Sequence, residues 1–287
     1  MKILITGSAG QLGSELNTLS REFNTNDFYF TNSKELDITN ASKVENFIIE
    51  NKIDCIINCA AFTAVDKSEN EKEQAELINH FSVKSLALLS KKYNCKLIHI
   101  STDYVFDGEG HKPYFPDDLT SPVNFYGSTK LAGEQAMSTI NPKGSIIIRT
   151  SWVYSSFGNN FVKTMLKLGS EKENLNVIYD QVGSPTYARD LAQFILESGI
   201  SYEGDDVKVY HYTNEGVCSW YDLAKETLEL SGLNCTVNPI PTSSYPTTAK
   251  RPHYSLMSKD SLKVDFNTEI PYWKDSLKKC LVLLNNK

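Results

Sequence analysis

Lys2-Ile3-Leu4-Ile5-Thr6-Gly7-Ser8-Ala9-Gly10-Gln11-Leu12-Gly13 opens the chain. A short, continuously apolar run ends in three glycines spaced three apart, and a helical pattern follows at once. Glycine at these places permits a tight turn, close approach of backbone N–H groups to a diphosphate, and close helix–strand packing. The N-terminus of the following helix adds the positive end of its dipole. No other three glycines in the chain share this spacing. The stretch therefore reads as a phosphate-binding turn between a first strand and a first helix; the plainer alternative is a merely tight turn.

Outward from this turn the first half alternates two periods. Nearly continuous apolar runs at Asp27–Phe30, Cys55–Asn58, Leu97–Ile100 and Ser145–Arg149 suit strands covered on both faces. Helical patterns at Leu12–Arg21, Ala41–Asn51, Glu69–Tyr93 and Tyr126–Thr139 lie between them. The alternation predicts an α/β fold with a doubly wound, Rossmann-like parallel sheet, and ligands beyond the carboxyl ends of its strands. After Arg149 the rhythm breaks: helices are expected over Asn159–Leu168, Ala188–Ser198 and Trp220–Ser231, and strands over Leu175–Tyr179 and Val207–Tyr212. Pro239–Pro252 holds four prolines and reads as a long loop. The expected organisation is a dinucleotide-binding domain over residues 1–150, with segments near 175–200 and 207–215 returning to it. Residues 151–287 are then mainly a small C-terminal substrate-binding lobe.

The 287 residues carry 40% hydrophobic and 22% charged side chains, ordinary for a globular enzyme and unlike a disordered, collagenous or coiled-coil chain. No run approaches the roughly 18 apolar residues of a membrane span, and the short N-terminal strand is no signal peptide. A cytoplasmic protein without a membrane partner is expected. The net charge of −6 offers no global field for nucleic acid. Six scattered cysteines and five histidines show no metal-ligand spacing, so reduced thiols and structural or surface histidines are expected, and no metal site.

A dinucleotide fold usually places an acid at the end of its second strand for the ribose 2′-hydroxyl. Thr31, Asn32, Ser33 and Lys34 stand there instead, which predicts that NADPH is accepted at least as well as NADH. Asp37 and Ile38 could approach the adenine, and the small residues Ala60 and Ala61, with Phe62 and Thr63, could lie against the cofactor after the third strand. Tyr126 and Lys130 are four apart on one helical face, where an ammonium would favour a phenolate and make the tyrosine a proton donor near neutral pH. Tyr221 and Lys225 have the same spacing but lie late in the chain and read as structural. Ser101, Thr102 and Asp103 end the fourth strand, so Thr102 could hold a carbonyl and orient Tyr126. Arg251 is a candidate for a substrate diphosphate, because its planar fork suits phosphate oxygens.

Further motifs follow in order: Leu36-Asp37-Ile38-Thr39; Asn58-Cys59-Ala60-Ala61-Phe62-Thr63-Ala64-Val65-Asp66; Ser101-Thr102-Asp103-Tyr104-Val105-Phe106-Asp107-Gly108; Tyr126-Gly127-x-x-Lys130. Arg149-Thr150-Ser151-Trp152-Val153-Tyr154, Gly158-Asn159-Asn160-Phe161, Asp180-Gln181-x-Gly183-Ser184-Pro185-Thr186 and Lys250-Arg251-Pro252 complete them. Over nearly its whole length the chain closely resembles the dTDP-4-dehydrorhamnose reductase family of extended short-chain dehydrogenases. The resemblance implies NAD(P)H-dependent reduction of the C4 ketone of dTDP-4-dehydro-β-L-rhamnose in nucleotide-sugar and polysaccharide biosynthesis. It implies Gly10, Gln11 and Leu12 at the cofactor diphosphate, Asp37 and Ile38 at the adenine, and Ala61, Phe62 and Thr63 on the ribose side. It implies Tyr126 as proton donor with Lys130 as partner, Thr102 tuning that tyrosine, Thr102 and Asp103 bordering the sugar, and Trp152 walling its pocket. Members that dimerise around Mg²⁺ use carboxylates from the first helix and a later one; Glu15 fits the first place, but Arg189 stands near the second, which argues against a retained Mg²⁺ bridge. A homodimer stays open. So do a different nucleotide-sugar 4-ketoreductase, an epimerase, and a non-catalytic dinucleotide-binding regulatory subunit of methionine adenosyltransferase.

Overall fold

The structure, a computed structural model, describes residues 1–285. Strands β1 (Lys2–Thr6), β2 (Asp27–Thr31), β3 (Cys55–Asn58), β4 (Lys96–Thr102) and β5 (Ile146–Thr150) form one parallel sheet with a sixth strand, Lys208–His211. The spatial order is β2-β1-β3-β4-β5 and then Lys208–His211. The chain leaves β1 on one side to make β2 and returns on the other to make β3, so the switch point of the winding lies between β1 and β3.

Alternation along each strand explains why the runs are apolar without a break. Ile3, Ile5, Cys55, Ile57, Ile98, Ile146 and Ile148 face one core, where α1 (Gln11–Leu19) contributes Leu12, Leu16 and Leu19 and the helix Ala188–Glu197 contributes Leu191, Phe194 and Ile195. Leu4, Ile56, Leu97 and Ile147 face the other, against Val44 and Ile48 of α2 (Ala41–Asn51), Val83 and Leu86 of the helix Ser82–Tyr93, and Met137 of the helix Phe125–Ile140. Each of these leucines and isoleucines stabilises the fold by about 1.5–3 kcal/mol through burial. A third core, around Tyr154, Tyr187, Trp273 and Leu277, and a fourth, around Met165, Leu175 and Leu228, belong to the second half of the chain.

Three local expectations differ from the structure. The pattern over Glu69–Tyr93 is helical without a break from Lys72 but not uniform: after the short helix Val65–Ser68, the helix Lys72–Glu76 passes through a wide π-type turn at Leu77–Phe81 into the helix Ser82–Tyr93. The wide turn lets Asn79 act as a clamp, its side chain bonding Phe62 N–H and C=O and Thr129 Oγ1 at 2.9–3.1 Å. The strand Thr236–Ile240, parallel to Asn174–Ile178, runs into the first two residues of the expected loop Pro239–Pro252, a two-stranded pair in which a proline is tolerated. Helices Asp260–Phe266 and Trp273–Asn285 lie where no element was expected. No helix among the described residues is long and apolar enough to cross a membrane.

Candidate active site

A cavity of about 800 Å³ opens across the carboxyl ends of β1, β3, β4 and β5. Gly7, Gly10, Gln11, Leu12, Asp37, Ile38, Ala60, Ala61 and Thr63 line one part of it. Thr102, Asp103, Tyr126, Lys130 and Trp152 line the other. Gly13, Phe62 and Arg251 stand outside this lining. Gly13 acts through packing, since a Cβ there would meet Gly7 O at 2.5 Å. Phe62 is held through its backbone by Asn79.

The glycine turn leaves room for a phosphate. Gly7 has φ +67°, and a Cβ there would sit 2.7 Å from Ala60 N, so the loops after β1 and β3 touch backbone to backbone. Gly10 caps α1 without any side chain on the helix N-terminus, whose N–H groups face the cavity side. Gln11 does more than line the turn: its Nε2 donates to Val153 O at 3.2 Å and its Oε1 accepts from Asn160 Nδ2 at 2.9 Å. These bonds tie the first turn to the second half of the chain. At the end of β2, the one nearby acid, Glu35, turns back and accepts from Asn32 N at 2.9 Å, while Asn32 and Ser33 line the cavity.

Tyr126 sits in the first turn of the helix Phe125–Ile140, which Asn124 caps by accepting from Gly127 N at 2.8 Å. A Cβ at Gly127 would meet Tyr104 O at 2.1 Å, so this glycine lets the helix start press against the loop after β4. Tyr104 in turn holds the Tyr126 ring edge-on at 5.5 Å. Thr102 lines the cavity beside Tyr126, accepts from Tyr104 N at 3.2 Å and donates to Asp103 Oδ1 at 2.9 Å. Burial pushes the Asp103 carboxyl up to about 6. Its Oδ2 has no hydrogen-bond partner.

The electrostatic expectation for the tyrosine is corrected here. Burial raises the Tyr126 phenol above its ordinary value, opposed by the Thr102 hydrogen bond. Burial also lowers the Lys130 ammonium to about 8, opposed by Glu134 and Cys59. Lys130 Nζ donates to Ile100 O at 2.6 Å and lies 3.2 Å from His99 Nε2. Desolvation therefore outweighs attraction between the two groups, and Lys130 is committed to the backbone and the imidazole of β4.

Arg251 also departs from its expected place. Its Nη1 and Nη2 grip both oxygens of Asp66 at 3.0 and 2.6 Å, pinning the proline-rich loop to the short helix Val65–Ser68. At the expected metal position, Arg189 Nη1 lies 3.5 Å from Glu15 Oε2, and Glu15 accepts from Ser155 Oγ at 2.6 Å. An arginine already beside that carboxylate makes a poor cation site.

Several participants had no role assigned to them from the sequence. His99 is fully buried beside Lys130. Trp220 stacks on Trp152 at 3.8 Å and 13°, fixing a wall residue whose backbone is left-handed at φ +50°. Gly183 leaves space for the same indole, since a Cβ there would come within 3.2 Å of it. Ser101 and Arg149 both bind Glu134, one helical turn beyond Lys130, Arg149 through its Nε at 3.1 Å and Nη2 at 2.7 Å. Ser101, Arg149 and Gly183 stand within sequence motifs but take these roles only from proximity in the fold, and His99 and Trp220 lie in no motif at all.

Comparison with known proteins agrees with this geometry. The family model described as RmlD substrate binding domain matches residues 1–285. The dTDP-4-dehydrorhamnose reductase of Escherichia coli is 39% identical over 291 residues, covering 98% of this chain and 97% of that protein. A crystal structure of a dTDP-4-dehydrorhamnose reductase from Clostridium acetobutylicum superposes with a TM-score of 0.94 at 42% identity, covering 99% of this chain and 100% of that one. A dTDP-4-dehydrorhamnose reductase from Bacillus anthracis, solved in complex with NADP, gives a TM-score of 0.91 at 38% identity, covering 98% and 99%.

Proposed function

The chain belongs to the dTDP-4-dehydrorhamnose reductase family, and from that premise we infer that it reduces the C4 ketone of dTDP-4-dehydro-β-L-rhamnose to dTDP-β-L-rhamnose, using NADPH or NADH. It is an oxidoreductase of dTDP-rhamnose biosynthesis. The observation that carries the reading is the meeting of Thr102, Tyr126 and Lys130 on the same cavity as the glycine turn.

The residues present fit the cofactor. Gly7, Gly10 and Gly13 leave a cradle that any side chain would fill, and the uncapped N-terminus of α1 suits a diphosphate. When bound, the reduced nicotinamide supplies the hydride. Gly10, Gln11 and Leu12 would hold its diphosphate, Asp37 and Ile38 its adenine side, and Ala60, Ala61, Phe62 and Thr63 the path between. Glu35 is turned onto Asn32 and away from the place a ribose-binding acid usually takes at the second strand's end, which supports tolerance of a 2′-phosphate.

Tyr126 gives its hydroxyl proton to the sugar oxygen as negative charge develops there. Thr102 aligns that hydroxyl, and its own proton is directed at Asp103. Asp103 and Trp152 border the sugar. Lys130 supplies the positive end of the site. Arg251, held by Asp66, would reach a substrate diphosphate only by leaving that carboxylate.

Purified protein with dTDP-4-dehydrorhamnose should oxidise one reduced cofactor per sugar, and none without it. An epimerase regenerates its bound cofactor and shows no net consumption; a binding module shows none with any ketosugar. Either result would displace the reductase reading.

A further inference from the structure

One helical turn beyond the reaction centre lies a buried ion pair. Glu134 follows Lys130 by four residues on one helix face, and both side chains dock on β4. Lys130 Nζ donates to Ile100 O at 2.6 Å, and the next residue, Ser101, donates its hydroxyl to Glu134 Oε1. Ser101 pairs across the sheet with Arg149 of β5, which sets the guanidinium under the same helix. Arg149 Nε reaches both oxygens of Glu134 at 3.1 Å, and its Nη2 reaches Oε2 at 2.7 Å. Its Nη1 donates to Pro116 O at 2.9 Å, and the guanidinium lies 5.1 Å from the centre of the Phe106 ring. Ser101, Glu134 and Arg149 are all buried, so the pair is closed off from water.

A buried ammonium needs an opposite charge nearby, or it gives up its proton. The groups around Lys130 offer few. On β4, His99 lies 3.2 Å from Nζ, and burial with the Lys130 charge holds its imidazole well below the usual histidine range, so it is neutral. Cys59, after β3, is pushed up to about 12 by burial and stays a thiol. Tyr126 on the same helix and Tyr104 after β4 are both raised by burial and stay phenols. Asp103, raised to about 6 by burial, accepts from Thr102 at the end of β4. His211, opposite Arg149 in the sheet, is lowered to about 3 by burial and is neutral too. Burial lowers the Lys130 ammonium to about 8, and the Glu134 carboxylate is the first charge that opposes this. Arg149 shares that carboxylate, so the lysine feels only part of it.

We propose that Glu134 and Arg149 are positioning residues for the reaction: the carboxylate of Glu134, fixed by Ser101 and Arg149, keeps Lys130 an ammonium in its buried place, and Arg149 limits that pull. The proposal rests on the reductase reading for its kinetic consequence, not for its electrostatics. Loss of the Glu134 charge eases proton loss from Lys130 and from Tyr126 alike. Loss of the Arg149 charge hinders it. The two substitutions therefore act with opposite sign on whichever member of the Tyr126–Lys130 pair gives up its proton.

The titration of Lys130 in the intact protein tests this, followed with pH through the ¹³Cε shift of the labelled lysine. In the wild type, Lys130 should be an ammonium at neutral pH. In Glu134→Gln its titration, and with it the alkaline limb of kcat, should move down by about one pH unit. In Arg149→Gln both should move up. A pair that merely braces the helix would lower activity in both variants without opposite displacements. An uncharged Lys130 in the neutral wild type, a titration unmoved in Glu134→Gln, or displacement in the same direction by both variants overturns the proposal. Where Glu134→Gln fails to fold, Arg149→Gln decides: a Lys130 titration that stays or falls there also overturns it. If the wild-type protein consumes no reduced cofactor while the Lys130 titration moves in opposite directions in the two variants, the reductase reading fails and the charge arrangement stands.

Discussion

Tyr126–Lys130 and Tyr221–Lys225 have the same spacing in the chain. The first pair is buried at the strand ends beside Thr102, whereas Tyr221 packs in the core around Met165 and Leu228. Spacing placed each pair on a helix face; only position at the mouth of the sheet separates chemistry from packing. His99 was illegible for the converse reason. A lone histidine in an apolar strand reads as core, and its partner Lys130 lies 31 residues further along. The same holds for Trp220, which stacks on Trp152 and packs against Phe161. Trp220→Ala should leave cofactor affinity intact and raise KM for the sugar nucleotide several-fold, since an aromatic pair contributes about 0.5–1.5 kcal/mol beyond its buried area. Steady-state kinetics with each substrate varied in turn would read this; an equal loss for both substrates would show that Trp220 supports the whole lobe instead.

The strand–turn–helix at residues 2–19 was fully legible, because each of its features is local: an apolar strand, glycines where backbones touch, and leucines at helical spacing. The segment from Glu69 to Tyr93 was not. Its helical pattern runs on, but the wide turn at Leu77–Phe81 exists to let Asn79 reach Phe62 and Thr129, contacts made far along the chain. The strand Thr236–Ile240 at the edge of the proline-rich loop escaped for a like reason, since only its pairing with Asn174–Ile178 makes it a strand. Gly13→Ala tests the first element. The new methyl would lie 2.5 Å from Gly7 O and 2.6 Å from Ser8 Cα, both backbone, so the turn must open. Cofactor Kd should rise at least about tenfold, equivalent to 1.4 kcal/mol, with the sheet intact by circular dichroism. An unchanged Kd would mean that the glycine turn does not hold the diphosphate.

At the scale of the whole molecule, the two halves of the chain close on one cavity. Gln11 binds Val153 and Asn160, the helix Ala188–Glu197 covers the same core as α1, and the strand Lys208–His211 extends the sheet beyond β5. Arg251 and Asp66 bring the proline-rich loop back over the first half. Composition and alternation foretold a doubly wound sheet and a return of segments near 175–200 and 207–215; in the structure Ala188–Glu197 packs on its core and Lys208–His211 pairs with β5, whereas Asn174–Ile178 pairs with Thr236–Ile240, a partner visible only once distant strands meet. With the halves joined this way, the proposed cofactor and sugar sides open on one cavity, with Tyr126 as their proposed reacting point. The most direct measurement is kcat for NADPH oxidation by Tyr126→Phe with dTDP-4-dehydrorhamnose, taken beside NADPH affinity by titration. The account predicts kcat lower by about 10²–10⁴ with cofactor affinity preserved; wild-type turnover in a protein that binds NADPH normally would contradict it.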